Sequence, residues 1–189
     1  MAITIVATAG ASNANSYITL TECNELIDGL VQDDDVAAWD NSSTTSTDAK
    51  HRALYTACQR IDRERFLGAK ATDTQALQWP RTGVRKPDTY VNTYATGFPF
   101  RITADFFSDT EIPEQIKKAQ AVLACFINNN KEALNLTGLE AYQSVNVGSV
   151  SVTPYRWGAV GFNNIPPMVE RYFTGIRISG PSNISIKRS

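Results

Sequence analysis

Proton transfer near neutral pH would fall to His51, the only histidine in the chain, since histidine alone titrates there unperturbed. A Ser-His-Asp or Cys-His arrangement would have to use it. His51 stands between Lys50 and Arg52 at an expected helix start, a setting that suits a solvated residue. Cys23, Cys58 and Cys125 are widely separated, odd in number and form no C-x-x-C pair. They read as free thiols on apolar helix faces. The acidic run at residues 33–35 reads as a solvated loop rather than a metal site, because consecutive carboxylates point in different directions. Lys117 and Lys118, with Arg63 and Arg65, have the charge to hold a phosphate, but a solvated helix face suits them better. The chain has no phosphate-binding loop, no dinucleotide fingerprint, no H-E-x-x-H and no zinc spacing. Nothing marks out one pair among the 19 acidic residues. The reading is of no catalytic residue, no metal, no cofactor and no enzyme.

One stretch is dense in side chains that recognise rather than react: "QALQWPRTGV", residues 75–84. A residue before proline is pushed out of helical geometry. Trp79 is therefore expected to be extended, its ring buried on the helices, with Pro80 fixing a turn and Gly83 releasing it. Arg81 is expected to emerge and reach a neighbour's acidic face. Residues 67–111 around it are punctuated by Gly and Pro and rich in aromatics: Trp79, Tyr90, Tyr94, Phe98, Phe100, Phe106 and Phe107. They read as an ordered loop layer over the helices. Aromatics interspersed with Arg81, Arg85, Lys86 and Arg101 could also stack single-stranded bases.

Three amphipathic segments would position this layer. In the first, Thr19 and Glu22 form a capping box ahead of an apolar face made by Leu20, Cys23, Leu26, Ile27 and Leu30. The second runs over residues 48–66, with Leu54, Ala57, Cys58, Ile61 and Phe66 as its stripe. Its other face, with "RIDRER", alternates charge as a solvated or intersubunit face does. The third begins at Pro113, at the first helical position, with Ile116, Ala119, Leu123, Phe126 and Ile127 toward the core. "SVNVGSVSVTPY" alternates around Gly148 and predicts a β-hairpin, with Val147, Gly148 and Val150 at its tip. "IPPMVERYFTGI" predicts a short last helix. Residues 3–6, "ITIV", suit an edge strand or docking arm, and residues 40–48 a Ser/Thr loop.

The chain has 189 residues, 42% hydrophobic and 20% charged, with net charge -1. That favours one domain, residues 1–176 with a hairpin at 143–156, followed by an arm, 177–189. The balance argues against broad phosphate gripping. No apolar run approaches the roughly 20 residues of a membrane span, and the N-terminus lacks a basic region ahead of its apolar piece. The chain is expected to be made in, and kept in, a cytoplasm.

The order of these motifs resembles a known family: "ASNANSYITLTECNELI" (11–27), "ALYTACQRIDRERFLG" (53–68), "QALQWPRTGV", "IPEQIKKAQAVLACFI" (112–127), the Val-rich hairpin and "IPPMVERYF" (165–173). It is similar to the head–tail connector, adaptor or head-completion proteins of tailed phages, also labelled DnaT-like after a primosomal single-stranded-DNA-binding protein. The resemblance covers residues 11–176. It implies a mainly α fold: a small helical bundle with an aromatic loop layer, a hairpin near 145–155 and an extended C-terminal arm. It implies a ring, typically of twelve copies, beneath the portal protein in the virion neck. That ring would extend the DNA channel without sequence-specific binding and dock the tail or a neck protein. Residues 40–49 look like a local expansion, and the loop at 85–109 is longer than the family's. Within this reading Ile178, Ile184, Ile186, Lys187 and Arg188 are the candidate portal-binding arm, although a disordered end fits the same composition. Arg60, Arg63, Arg65, Trp79 and Arg81 are the candidate subunit interface. The DnaT-like label opens a second reading, a single-stranded-DNA-binding replication accessory. A third, a phage enzyme of unrecognised type, would need a pocket with perturbed ionisable groups.

Overall fold

A computed structural model of the protein describes residues 3–30, 33–87, 105–129, 145–147, 150–152 and 165–178. Among these residues the helices are α1 (Leu20–Leu30), α2 (Asp33–Asp40), α3 (Thr47–Ile61), α4 (Glu114–Asn129) and a short α5 (Pro167–Glu170) that runs into a 3-10 turn, Arg171–Phe173. Two antiparallel strand pairs accompany them: β1 (Ala69–Lys70) with β2 (Arg81–Thr82), and β3 (Val145–Val147) with β4 (Val150–Val152). The fold is mainly α.

α4 is the centre. Residues around most of its circumference are buried, from Ile116 through Ile127, a broader face than the single stripe expected. A helix that is apolar nearly all round must be surrounded, and α1, α2, α3 and the 3-10 turn all pack against α4. α3 contributes Ala53, Leu54, Ala57, Cys58 and Ile61, spaced three and four apart so that one face meets α4.

The helix starts follow local chemistry. Thr19 N donates to Glu22 Oε2 at 2.9 Å and Glu22 N to Thr19 Oγ1 at 3.2 Å, so the capping box forms. The Thr19 backbone bond holds the Glu22 carboxyl below the usual carboxylate range, against partial burial, with the Lys117 charge helping. Ser46 caps α3 by accepting from Ala49 N. Pro167 opens α5, where a missing N–H costs nothing.

Three expectations are corrected. The acidic run at 33–35 does not form a loop but opens α2. Carboxylates suit the positive helix end, and Trp39, 0% exposed, anchors that helix with its Nε1 donating to Asn24 Oδ1. α3 stops at Ile61 rather than Phe66. Beyond it the backbone finds other partners: Leu67 N donates to Ile176 O and Ile178 N to Arg65 O. Residues 3–6 form no strand. Val6 instead exchanges bonds with Asn15, whose side chain accepts from Val6 N and whose N–H donates to Val6 O.

Gln120 holds three parts of the chain in one register. It is 0% exposed. Its Oε1 accepts from Tyr17 N at 2.9 Å, and its Nε2 donates to Ser16 Oγ at 2.7 Å and Leu54 O at 3.0 Å. The segment before α1, the middle of α3 and α4 are thus joined by one amide. Gln120→Leu leaves the buried Tyr17 N–H without its acceptor and takes a donor from Ser16 Oγ and Leu54 O, and is expected to cost about 3 kcal/mol in urea unfolding. Gln115→Leu, which removes a carbonyl oxygen with no partner among the described residues, is expected to cost far less.

Candidate functional site

Over one end of the bundle, backbone segments pair in an antiparallel series. Residues 65–67 pair with 176–178, through Leu67 N to Ile176 O at 2.9 Å and Ile178 N to Arg65 O at 2.8 Å. β1 pairs with β2. Residues 84–86 pair with 105–107, through Phe107 N to Val84 O at 3.0 Å and Lys86 N to Asp105 O at 2.9 Å. This is the described part of the expected loop layer. Gly68 sits where it is tightest: φ is +72°, and a Cβ there would lie 2.1 Å from Thr82 O.

Of the layer's described aromatics Trp79 is buried and Phe107 half-buried, while Phe106 is 48% exposed. Trp79, 1% exposed, meets the edges of Phe66 at 5.6 Å and Phe107 at 6.1 Å between ring centroids. Phe66 in turn meets Phe173 at 5.7 Å. Such pairs add to the area they bury. Trp79 is buried as the sequence leads one to expect, and the Trp79–Pro80 peptide bond is cis. Of these paired rings only Phe107 is even partly open to a base.

Arg81 corrects the expectation that it presents a charge to a neighbour. It is 7% exposed. Its Nε donates to Leu67 O at 2.7 Å, its Nη2 to Gly68 O at 2.7 Å and Phe66 O at 3.2 Å, and its Nη1 to Gln78 Oε1 at 2.8 Å and Gln78 O at 3.3 Å. A guanidinium has five N–H donors, so this chain uses them all. The cause is local: the turn after α3 points three successive carbonyls at one spot, and only a planar fork can reach them together.

Gln75 in the same motif is likewise satisfied from within, whereas the buried Trp79 Nε1 has no partner among the described residues. Gln75 Nε2 donates to Leu77 O and Pro80 O, while its Oε1 accepts from Thr72 N. Asp62 was expected on a solvated face. Its Oδ1 accepts from Tyr17 Oη and from Gln78 N, so it ties the end of α3 to the segment before α1 and to the loop layer. Burial, then the Asp62 charge and that of Cys58, push the Tyr17 hydroxyl well above its ordinary range. Sequence reasoning missed Asp62, Gln75, Gln78 and Gln120. The only signal for Asp62 was a carboxylate directly after Ile61, the last residue of the apolar stripe in α3.

The other candidates divide as follows. Arg63 and Arg65 are exposed and Arg60 is half-buried. Lys117 and Lys118 do not form a phosphate site with Arg63 and Arg65, being engaged by Glu22 at 3.3 Å and Glu114 at 2.6 Å. Ile178 is 45% exposed at the margin of the layer. Ile184, Ile186, Lys187 and Arg188 lie outside the described residues. In the hairpin, Val147 and Val150 are register partners, and Gly148 lies outside the described residues, as do Tyr90, Tyr94, Phe98, Phe100 and Arg101. Among the described residues no His, Cys, Asp and Glu cluster could hold a metal, and no helix is long and apolar enough to cross a membrane.

All three cysteines are free and buried. Burial pushes the Cys125 thiol up to about 12, with Asp35 adding to it. Burial pushes Cys23 and Cys58 up further. Such thiols are poor nucleophiles.

Two measurements test this site. Arg81→Lys keeps the charge but has only three donors, so buried carbonyls of residues 66–68 lose partners. The expected loss is about 2–4 kcal/mol in chemical denaturation, with the helical circular dichroism of the native state retained. The thiols give a sign for pH. Above about pH 8.5 an unfolded thiol releases its proton while the folded one keeps it, so the unfolded state binds fewer protons and stability falls as pH rises. The fall should approach about 1.4 kcal/mol per pH unit for each thiol. A triple Cys→Ala variant should be less stable at neutral pH yet show a flat profile between about pH 8.5 and 9.5.

A family model described as "Putative DnaT-like ssDNA binding protein" matches residues 1–188. No curated protein matches the chain. No solved structure matches it either. The match spans nearly the full sequence and takes in the bundle, the loop layer and the hairpin alike, and by it the chain belongs to the DnaT-like family.

Proposed function

We propose that the protein is a structural head–tail connector of a tailed bacteriophage. Copies form a ring, typically of twelve, beneath the portal protein, which extends the DNA channel and docks the tail. The chain is made in the bacterial cytoplasm and works in the virion neck, without a cofactor and without catalysis. The observation that carries this reading is the self-sufficiency of the loop layer. Arg81 and Trp79, two of the groups best suited to grip a ligand, are spent on holding the layer to the bundle, while Arg85 and Phe106 face solvent. The C-terminal segment is docked in that layer beside residues 65–67 as far as exposed Ile178. A firm base suits a part that holds other parts. The order of sequence motifs, which resembles connector proteins, supports the same reading. Ile178, Ile184, Ile186, Lys187 and Arg188 form the portal-binding arm, and the hairpin is a second contact element.

The family description favours a second reading, single-stranded-DNA binding. Its best surface is the outer face of α3, where Tyr55, 37% exposed, lies between Arg52 and Gln59 at helical spacing. One ring with one arginine beside it is a small stacking platform.

Mass photometry of the purified chain, alone and with the portal of its phage, tests the first reading. A ring-sized species, or a portal-dependent one of many copies, is expected, and deletion of 179–189 should abolish the portal-dependent part. A monomer that ignores the portal but slows the tumbling of a labelled oligonucleotide, with binding that weakens steeply as salt rises, would replace it by the second. Tryptophan quenching is the wrong probe for that arm at Trp39 and Trp79, which are 0% and 1% exposed.

A further inference from the structure

α1 and α3 both pack on α4 and turn faces of opposite character outward. On α1 the exposed positions are Thr21, Glu25 and Asp28, four and three apart and so on one stripe. α2, the next helix and packed against α1, adds exposed Asp34. Glu25, Asp28 and Asp34 hold no ion pair among the described residues, unlike Asp40, which takes Lys50 at 3.1 Å.

On α3 the exposed positions are Thr47, Asp48, Arg52, Tyr55 and Gln59, followed past the helix end by Arg63 and Arg65, so that positive charge predominates from Arg52 onward. Arg52, Arg63 and Arg65 hold no ion pair among the described residues, whereas the nearby Arg177 is held by Glu64 at 2.9 Å and Glu170 at 3.2 Å. Partial burial, then the neighbouring Arg63 charge, lower Arg60 from the usual arginine range, so this end of α3 gathers positive charge. Tyr55 adds a half-open ring to the middle of the stripe. A ring with arginines beside it is the composition of an interface centre rather than of a plain solvated face.

We infer that the Arg52–Tyr55–Arg63–Arg65 face of α3 docks on the Glu25–Asp28–Asp34 face of a second copy of this chain. The two faces lie on different helices of one subunit, so their contact is head-to-tail. Such a contact repeats from copy to copy and closes into a ring if its rotation permits. Opposite potentials fix the partner and the register and raise the encounter rate. The inference rests on the ring reading proposed above and names the surfaces that would build it.

Charge reversal tests it on the whole chain. One variant carries Arg63→Glu and Arg65→Glu, the other Asp28→Lys and Asp34→Lys. All four sites are exposed, so the monomers are expected to fold, and circular dichroism checks this. Each variant alone should lose the multi-copy species, by itself or on the portal, with the association constant down on the order of a hundredfold. Mixed in equal amounts, the two should regain it. The reversed α3 face of one then meets the reversed α1–α2 face of the other, and the native faces meet at the next contact. A chain carrying all four changes should likewise assemble. Wild-type assembly should weaken as salt rises.

Folded single variants that assemble as the wild type does would overturn the inference and leave the ring reading standing. So would single variants that fail to assemble and are not rescued by mixing. A wild-type chain that forms no multi-copy species under any of these conditions removes the ring reading and the inference together. If only the arginine variant then loses oligonucleotide binding, the α3 face is a nucleic-acid surface instead.

Discussion

Everything at one end of this molecule depends on a single guanidinium in the right place. Where α3 stops, the chain must turn and pair with two distant segments, and the turn leaves the carbonyls of Phe66, Leu67 and Gly68 pointing inward. Buried carbonyls without donors cost free energy. Arg81 supplies donors to all three and returns along Gln78. The rings of Phe66, Trp79, Phe107 and Phe173 then close over the same region. The pairing of residues 65–67 with 176–178 brings the C-terminal segment to the layer, so the arm's origin is fixed by an arginine nearly a hundred positions earlier in the chain.

Gln120 plays the matching part in the bundle. Its amide accepts from and donates to the segment before α1 and donates to α3, which sets the rotation of α4 against both. Asp62 then links the two regions, since it accepts from Tyr17 Oη and Gln78 N. Three polar side chains, each with its partners met, specify how apolar faces of little individuality stack.

The bundle was largely legible in the sequence. Thr19 with Glu22, the stripe Leu54–Ala57–Cys58–Ile61 and Pro113 ahead of Ile116 state their roles through local spacing. The limits of reading came where a residue's partner is backbone or is remote. Arg81 looked like a surface charge because its acceptors are carbonyls, which no side-chain pattern displays. Asp62 looked solvated because Tyr17 and Gln78, which fill its oxygen, stand 45 and 16 positions away. Residues 33–35 looked like a loop because the anchor of that helix is Trp39 at its far end. α3 ended early because residues 65–67 gained backbone partners from the end of the chain, which propensity does not see. The candidate surfaces were half legible: Arg63 and Arg65 face solvent as a charge-mixed segment suggests, while Trp79 and Arg81 belong to the interior.

The three thiols have a consequence beyond packing. A chain made where glutathione keeps cysteines reduced can later pass into solution that oxidises them. Disulfide exchange and sulfenic acid formation both begin from an accessible thiolate. Here each sulfur is covered and held in the protonated form. The covalent state of the folded chain is therefore indifferent to the redox poise around it.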